Sequence, residues 1–184
     1  RARMPTDIEQ AKKLLAEAGY PDGQGFPKTS IIFNTNESHR AIAAAIQEMW
    51  RKHLNIDVEL INQEWKVYLD SQRNGDYFAS RAGWIGDYVD PNSFLDLWTS
   101  WSQQNQTGWS SPVYDQLITQ AGRTYDPSER IELFQKAEEL LMEEAPIIPI
   151  YIYTRVYLLD PGVKNWNPTI LDHHPYKYVY LESY

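Results

Sequence analysis

The chain has 184 residues, 42% of them hydrophobic, 23% charged and 14% aromatic, with a formal net charge of −8 at pH 7. That length gives one full domain with a buried core and falls short of two comfortable ones. An acidic balance with scattered Lys and Arg excludes a nucleic-acid partner, which needs a basic face against phosphate; no run nears the ~18 apolar residues of a membrane span, and the absence of cysteine excludes disulfides and thiolate metal sites.

The first helix opens at a capping box, Thr6-Asp7-Ile8-Glu9, and presents Ile8, Ala11, Leu14, Leu15 and Ala18 on one face. Gly19 ends it in the left-handed position, and Tyr20-Pro21-Asp22-Gly23 turns the chain. Residues 30–34 read as a buried strand. Residues 37–54 read as a helix, with Ile42, Ala45, Ile46 and Met49 at helical spacing and Asn55 as its stop. Alternation over 56–61 predicts a strand with one face to the core. A third helix spans 64–73 and ends at Asn74-Gly75, and residues 77–84 read as another strand. A loop over 86–91 leads into a short helix carrying Phe94, Leu95, Leu97 and Trp98. The polar stretch 100–110 reads as an exposed loop. Ser111-Pro112 and Asp126-Pro127-Ser128-Glu129 start two more helices, the second reaching about residue 144. The tyrosine-rich tail, 147–159, reads as strands, with a last strand over 176–181.

Helices alternating with strands imply an α/β layer architecture with some parallel pairing. The tail is longer than one compact lobe needs. The 7 Trp and 13 Tyr exceed what such a core requires and suit a surface that grips a ligand by area. Arg1-Ala2-Arg3-Met4-Pro5 lacks an apolar signal segment, which leaves either a cytosolic chain or a piece of a longer one.

Four ordered stretches then narrow the reading. They are Arg81-Ala82-Gly83-Trp84-Ile85-Gly86-Asp87-Tyr88-Val89-Asp90-Pro91-Asn92-Ser93-Phe94-Leu95, the turn Glu17-Ala18-Gly19-Tyr20-Pro21-Asp22-Gly23, the entry Asn62-Gln63-Glu64-Trp65 to Leu69-Asp70, and Asp126-Pro127-Ser128-Glu129-Arg130 through Ala145-Pro146-Ile147-Ile148-Pro149-Ile150-Tyr151. Together they resemble the peptide- and nickel-binding family of ABC-importer solute-binding proteins, most closely its oligopeptide-binding branch. The resemblance implies a periplasmic-binding-protein-like lobe, a mixed sheet flanked by helices, with extra C-terminal strands. Residues 1–150 would form most of the second ligand-binding lobe, and 151–184 the terminal strands returning toward a missing first lobe. It further implies no enzymatic activity and no cofactor, and capture of short peptides outside the cytoplasmic membrane, with a lipid anchor open to the full-length protein. The implied partners are the peptides, the membrane permease of an importer and the protein's own N-terminal lobe.

A receptor for peptides of any sequence must fasten what they share: an ammonium, a backbone and a carboxylate. The resemblance makes Asp87 the ammonium's partner, a role whose chemistry fits a carboxylate beside a glycine. An aspartate here could instead cap the helix after Pro91, which suits Asp90 better. The strand from about Arg81 to Ile85 could pair with peptide backbone, Gly83 leaving room for its approach, against the alternative of an interior strand already paired on both sides. Arg81 matches the arginine that meets a short peptide's carboxylate, and His39 the position that meets a longer one's. Fully extended, Arg81 and Asp87 would lie roughly 20 Å apart, so the arginine side chain must fold back toward a tripeptide. Gln72 stands where the resembling branch has an arginine, with Arg73 next, which leaves peptide length open. Trp84 and Trp65 match side-chain pocket walls, against the alternative of core packing. Asp172-His173-His174 invites a metal but lacks helical spacing and cysteine, and reads as a solvated loop. Glu138-Glu139 and Glu143-Glu144 read as a solvated helix face. Competing functions are a carbohydrate-binding or glycoside-cleaving domain, or transport of nickel, haem or cell-wall peptide.

Overall fold

The computed structural model describes residues 7–169, 171 and 173–182. They form an α/β fold of helices and two small sheets that divides into two compact units.

The first unit runs to Gly83 and includes Gln106–Gly108. Its sheet has the order β2-β1-β3, all parallel: β1 (Thr29–Asn34) pairs along its length with β2 (Val58–Gln63), and at Ile31 and Ile32 with β3 (Ala79–Ser80). Ile31, Phe33 and Val58 form the core with Ala43 and Ile56. Parallel neighbours need crossover connections, supplied by α2 (Glu37–Leu54) and α3 (Trp65–Asn74). The Asn36 side chain accepts the Ser38 and His39 N–H groups at the start of α2, and Asn55 ends it at φ 55°, a left-handed geometry asparagine tolerates. Helix α1 (Ile8–Glu17) is capped by Asp7, which accepts the Gln10 N–H at 2.9 Å; Thr6 of the expected capping box lies outside the described residues.

The strand expected over 77–84 is paired only at Ala79 and Ser80, with one further bond from the Arg81 N–H to the Ile32 carbonyl at 2.9 Å. Residues 82–85 are exposed and join no ladder. A strand exists only as far as a neighbouring backbone accompanies it, and extended propensity alone does not supply that neighbour.

The second unit comprises Trp84–Asn105 and the chain from Trp109 onward. Helices α5 (Pro112–Ala121) and α6 (Pro127–Glu144) pack as a hairpin around Tyr114, Ile118, Phe134, Ala137 and Leu141. Both start as their sequences dictate, with Ser111 accepting the Tyr114 N–H and Asp126 those of Ser128 and Glu129. Tyr114 is fully buried and donates its hydroxyl to the Leu95 carbonyl at 2.6 Å, which ties the short α4 (Asn92–Leu95) to α5. The stretch read as a loose polar loop is organised by Asn105, whose side-chain amide donates to the Trp98 and Trp109 carbonyls. Glu144, assigned to a solvated face, accepts the Trp109 indole N–H at 2.6 Å.

The tail departs most from expectation. Residues 147–160 form no strand, and Ile152, Val156 and Leu158 are over nine-tenths exposed. Of the expected last strand, Tyr176–Tyr178 is a 3-10 turn, and only β5 (Tyr180–Leu181) pairs, antiparallel, with β4 (Val163–Lys164). A segment becomes a strand only where a second backbone runs beside it. His174 stacks on Trp166 at 4.4 Å between centroids, and Asp172 lies outside the described residues. No described helix is long and apolar enough to cross a membrane.

Candidate functional site

Four of the residues singled out from sequence, His39, Trp65, Arg81 and Gly83, lie in the first unit. Helix α2 carries His39 in its first turn, half-buried, with Nδ1 2.8 Å from the Asn34 side-chain oxygen at the end of β1. Burial and the nearby Arg81 guanidinium push the imidazole below its ordinary value, against the hydrogen bond at Asn34. Arg81 is fixed through its backbone: its N–H bonds to Ile32, and its carbonyl accepts the Tyr68 hydroxyl. Tyr68, 3% exposed on α3, was not signalled in the sequence beyond its place one turn after Trp65. Burial raises the Tyr68 phenol above its ordinary value, against the smaller pull of the Ser80 hydrogen bond and the Arg81 charge. Trp65 stacks on it at 5.8 Å and is itself 55% exposed, so it is not a core tryptophan. Gln72 spends its amide on Ser80 Oγ at 2.9 Å, while Arg73 pairs outward with Asp70 at 3.0 Å. Gly83 is exposed.

Trp84, Ile85 and Asp87 belong to the second unit. Their organiser is Ser93, only 2% exposed, which was not read as important from sequence. Its carbonyl accepts the Trp84 indole N–H at 2.9 Å, and its Oγ accepts the Asp87 backbone N–H at 2.7 Å. Gly86 is buried beneath Phe94: a Cβ there would sit 2.9 Å from the ring, so any larger residue would have to push the Phe94 side chain aside. Ile85 is 67% exposed.

The two aspartates of the loop have opposite environments. Asp90 binds Arg130 through both oxygens, at 2.7 and 2.8 Å, and accepts the Asn92 N–H at 2.9 Å. The Arg130 hydrogen bonds hold the Asp90 carboxyl below the usual carboxylate range, although burial opposes them. The Asp87 carboxylate is exposed and makes no hydrogen bond or ion pair among the described residues. Its charge adds to burial in raising the Asp96 carboxyl, which a hydrogen bond from Tyr88 lowers. Asp90 thus takes the structural role, as its position before the short helix suggested, and Asp87 is left able to meet a cation.

The depressed His39 imidazole makes stability depend on pH with a definite sign. The unfolded chain takes up a proton near pH 6.5 while the folded chain resists it, so this contribution is complete above that value and lost as pH falls through it toward the lower folded value. The Asp90 contribution is lost only at more acidic pH, below the ordinary carboxylate value of 3.8. His39→Gln is therefore expected to flatten the fall in thermal midpoint between about pH 7.5 and pH 5.5. An unchanged fall would contradict the assignment.

Residues 1–106 match the family model of bacterial extracellular solute-binding proteins, family 5 Middle. The chain is 43% identical over 157 residues to the periplasmic murein peptide-binding protein MppA of Escherichia coli, covering 85% of this chain and 29% of that protein. It is 41% identical over 160 residues to the oligopeptide-binding protein OppA of Bacillus subtilis, covering 86% of this chain and again 29% of the relative. A crystal structure of the periplasmic oligopeptide-binding protein OppAIV from Borrelia burgdorferi superposes with a TM-score of 0.88 at 36% identity, over 99% of this chain and 37% of that one. The chain therefore spans about three-tenths of the length of the curated relatives it matches.

Proposed function

The chain belongs to the bacterial extracellular solute-binding proteins of family 5, and on that premise we propose that it is part of a receptor that captures short peptides outside the cytoplasmic membrane for an ABC-importer permease. The receptor binds its cargo and cleaves nothing. One observation carries this reading: the signature loop spends Asp90 on Arg130 and fastens Asp87 by its backbone, yet leaves the Asp87 carboxylate exposed and unpaired among the described residues. A carboxylate so placed meets the one cation every free peptide carries, its terminal ammonium.

The remaining roles are those the resemblance implies, and the chemistry of the residues suits them. Arg81, as a fixed charge, meets the carboxylate of a short peptide, and His39, once it takes up a proton, that of a longer one. The exposed backbone around Gly83 and Ile85 offers donors and acceptors to a peptide main chain, which are blind to sequence. Trp84, anchored through its indole N–H, and the exposed Trp65 supply faces that accept many side chains with water filling the gaps. In this reading residues 1–150 supply most of the second lobe of a two-lobed receptor. The stretch that exposes Ile152, Val156 and Leu158 returns to the first lobe, and a lipid anchor is one way to hold the whole protein at the membrane. Calorimetric titration of the full-length protein with a free tripeptide is expected to give saturable heat, and oligosaccharides none. Heat with an oligosaccharide and none across a panel of free tripeptides would overturn the proposal.

A further inference from the structure

Asp87 contributes little to its own placement, since only its backbone N–H is held, by Ser93 Oγ. Ser93 in turn is held by Asp90, whose carbonyl accepts the Ser93 N–H at 3.1 Å and whose side chain accepts the Asn92 N–H. Asp90 is fixed by a residue 40 positions away, Arg130 in the first turn of α6. The guanidinium gives two parallel bonds to Asp90, its Nε donates to the Ala121 carbonyl at the end of α5 at 3.1 Å, and its face lies 4.6 Å over the buried Phe134 ring. Both side chains of the pair are only 27% exposed, so this is a partly desolvated, bidentate contact. Its planar fork has one orientation that satisfies the loop, the end of α5 and the ring together.

Building on the peptide reading, we propose that Arg130 is a positioning residue for ammonium recognition: through Asp90 and Ser93 it clamps the loop over residues 86–93 to the α5–α6 hairpin and sets the Asp87 carboxylate before the ligand arrives. A charge held in place beforehand binds tighter than one that must be ordered on binding. Without the clamp the loop samples other arrangements, and affinity falls by the fraction of time Asp87 is correctly placed.

The test uses the full-length protein and two tripeptides of one sequence, with a free or an acetylated amino terminus. Arg130→Ala is expected to weaken the free-amine peptide about tenfold and the acetylated one by less than about twofold. Arg130→Lys, which keeps the charge but not the fork, is expected to fall between. Because Arg130→Ala also removes the bond to Ala121, Asp90→Asn serves as the variant that leaves the hairpin untouched, and it should discriminate in the same direction. Hydrogen exchange in the variants should rise over residues 86–93 while α5 and α6 keep their protection. Equal losses for both peptides, no loss, or exchange spread evenly over the hairpin would overturn the proposal. Asp87→Asn run alongside separates the two levels. If it fails to discriminate the peptides, the ammonium assignment itself is wrong; if it discriminates while Arg130→Ala and Asp90→Asn do not, only the positioning role is.

Discussion

Asp87→Asn in the full-length protein is expected to weaken binding of a free-amine tripeptide by roughly 30-fold or more, and of its N-acetylated counterpart by only a few-fold. Removing one member of a desolvated, hydrogen-bonded ion pair costs about 2–5 kcal/mol, and each ~1.4 kcal/mol is tenfold in affinity. Asparagine keeps the size and one acceptor, so the loop has no reason to collapse. The backbone bond to Ser93 and the Asp90–Arg130 pair do not involve the altered side chain. Acetylation removes the cation, so wild type and variant should then differ little. Isothermal titration of both peptides measures the contrast, and equal losses would remove Asp87 from the ammonium's side of the site.

Phe134→Ala is the substitution expected to cost the most stability, about 3–5 kcal/mol, the range for truncating a buried aromatic ring. Phe134 is 3% exposed at the centre of the α5–α6 hairpin, among Ile118, Ala121 and Leu141. No described polar group needs the ring for hydrogen bonding, so the loss is packing and burial, with the Arg130 guanidinium losing the face it rests on. The fall in the urea midpoint measures it, and a change below about 1 kcal/mol would mean that the hairpin core is not packed as described.

What the sequence carried were the features decided within a few residues. Asn55 as the stop of α2, Ser111-Pro112 as the start of α5 and Asp126 as the cap of α6 all depend on neighbours within one turn, and all stand as read. Ile31, Ile32 and Phe33 announced a buried strand because three apolar residues in a row have no other home. Where an expected strand forms no ladder the cause is shared: pairing needs a second backbone, which periodicity does not report. Of the strands read over 77–84 and 147–159, residues 82–84 and 147–159 join no ladder among the described residues.

For the site, the resemblance in the signature segment supplied residue types and roles. The place of Asp90 before Pro91 marked it, rather than Asp87, for a structural role, although the short helix has Pro91 at its N-cap and Asp90 is spent on Arg130 and the Asn92 N–H. The devices that hold the site were hidden. Arg130 reads locally as one more exposed charge on a helix, and only the tertiary fold brings it to Asp90. Ser93 looks like any loop serine until its burial and its two accepted hydrogen bonds are seen. Tyr68 carries a local signal, since a tyrosine one turn from Trp65 shares its helix face.

At the root of this account lies a single contact, between a side-chain carboxylate and the amino terminus of the cargo. A crystal structure of the full-length protein with a bound tripeptide examines it directly. The expected result is the peptide ammonium within hydrogen-bonding distance of the Asp87 carboxylate, with Asp90 still paired to Arg130. A peptide bound with its amino terminus elsewhere and Asp87 facing solvent would contradict the account at its foundation.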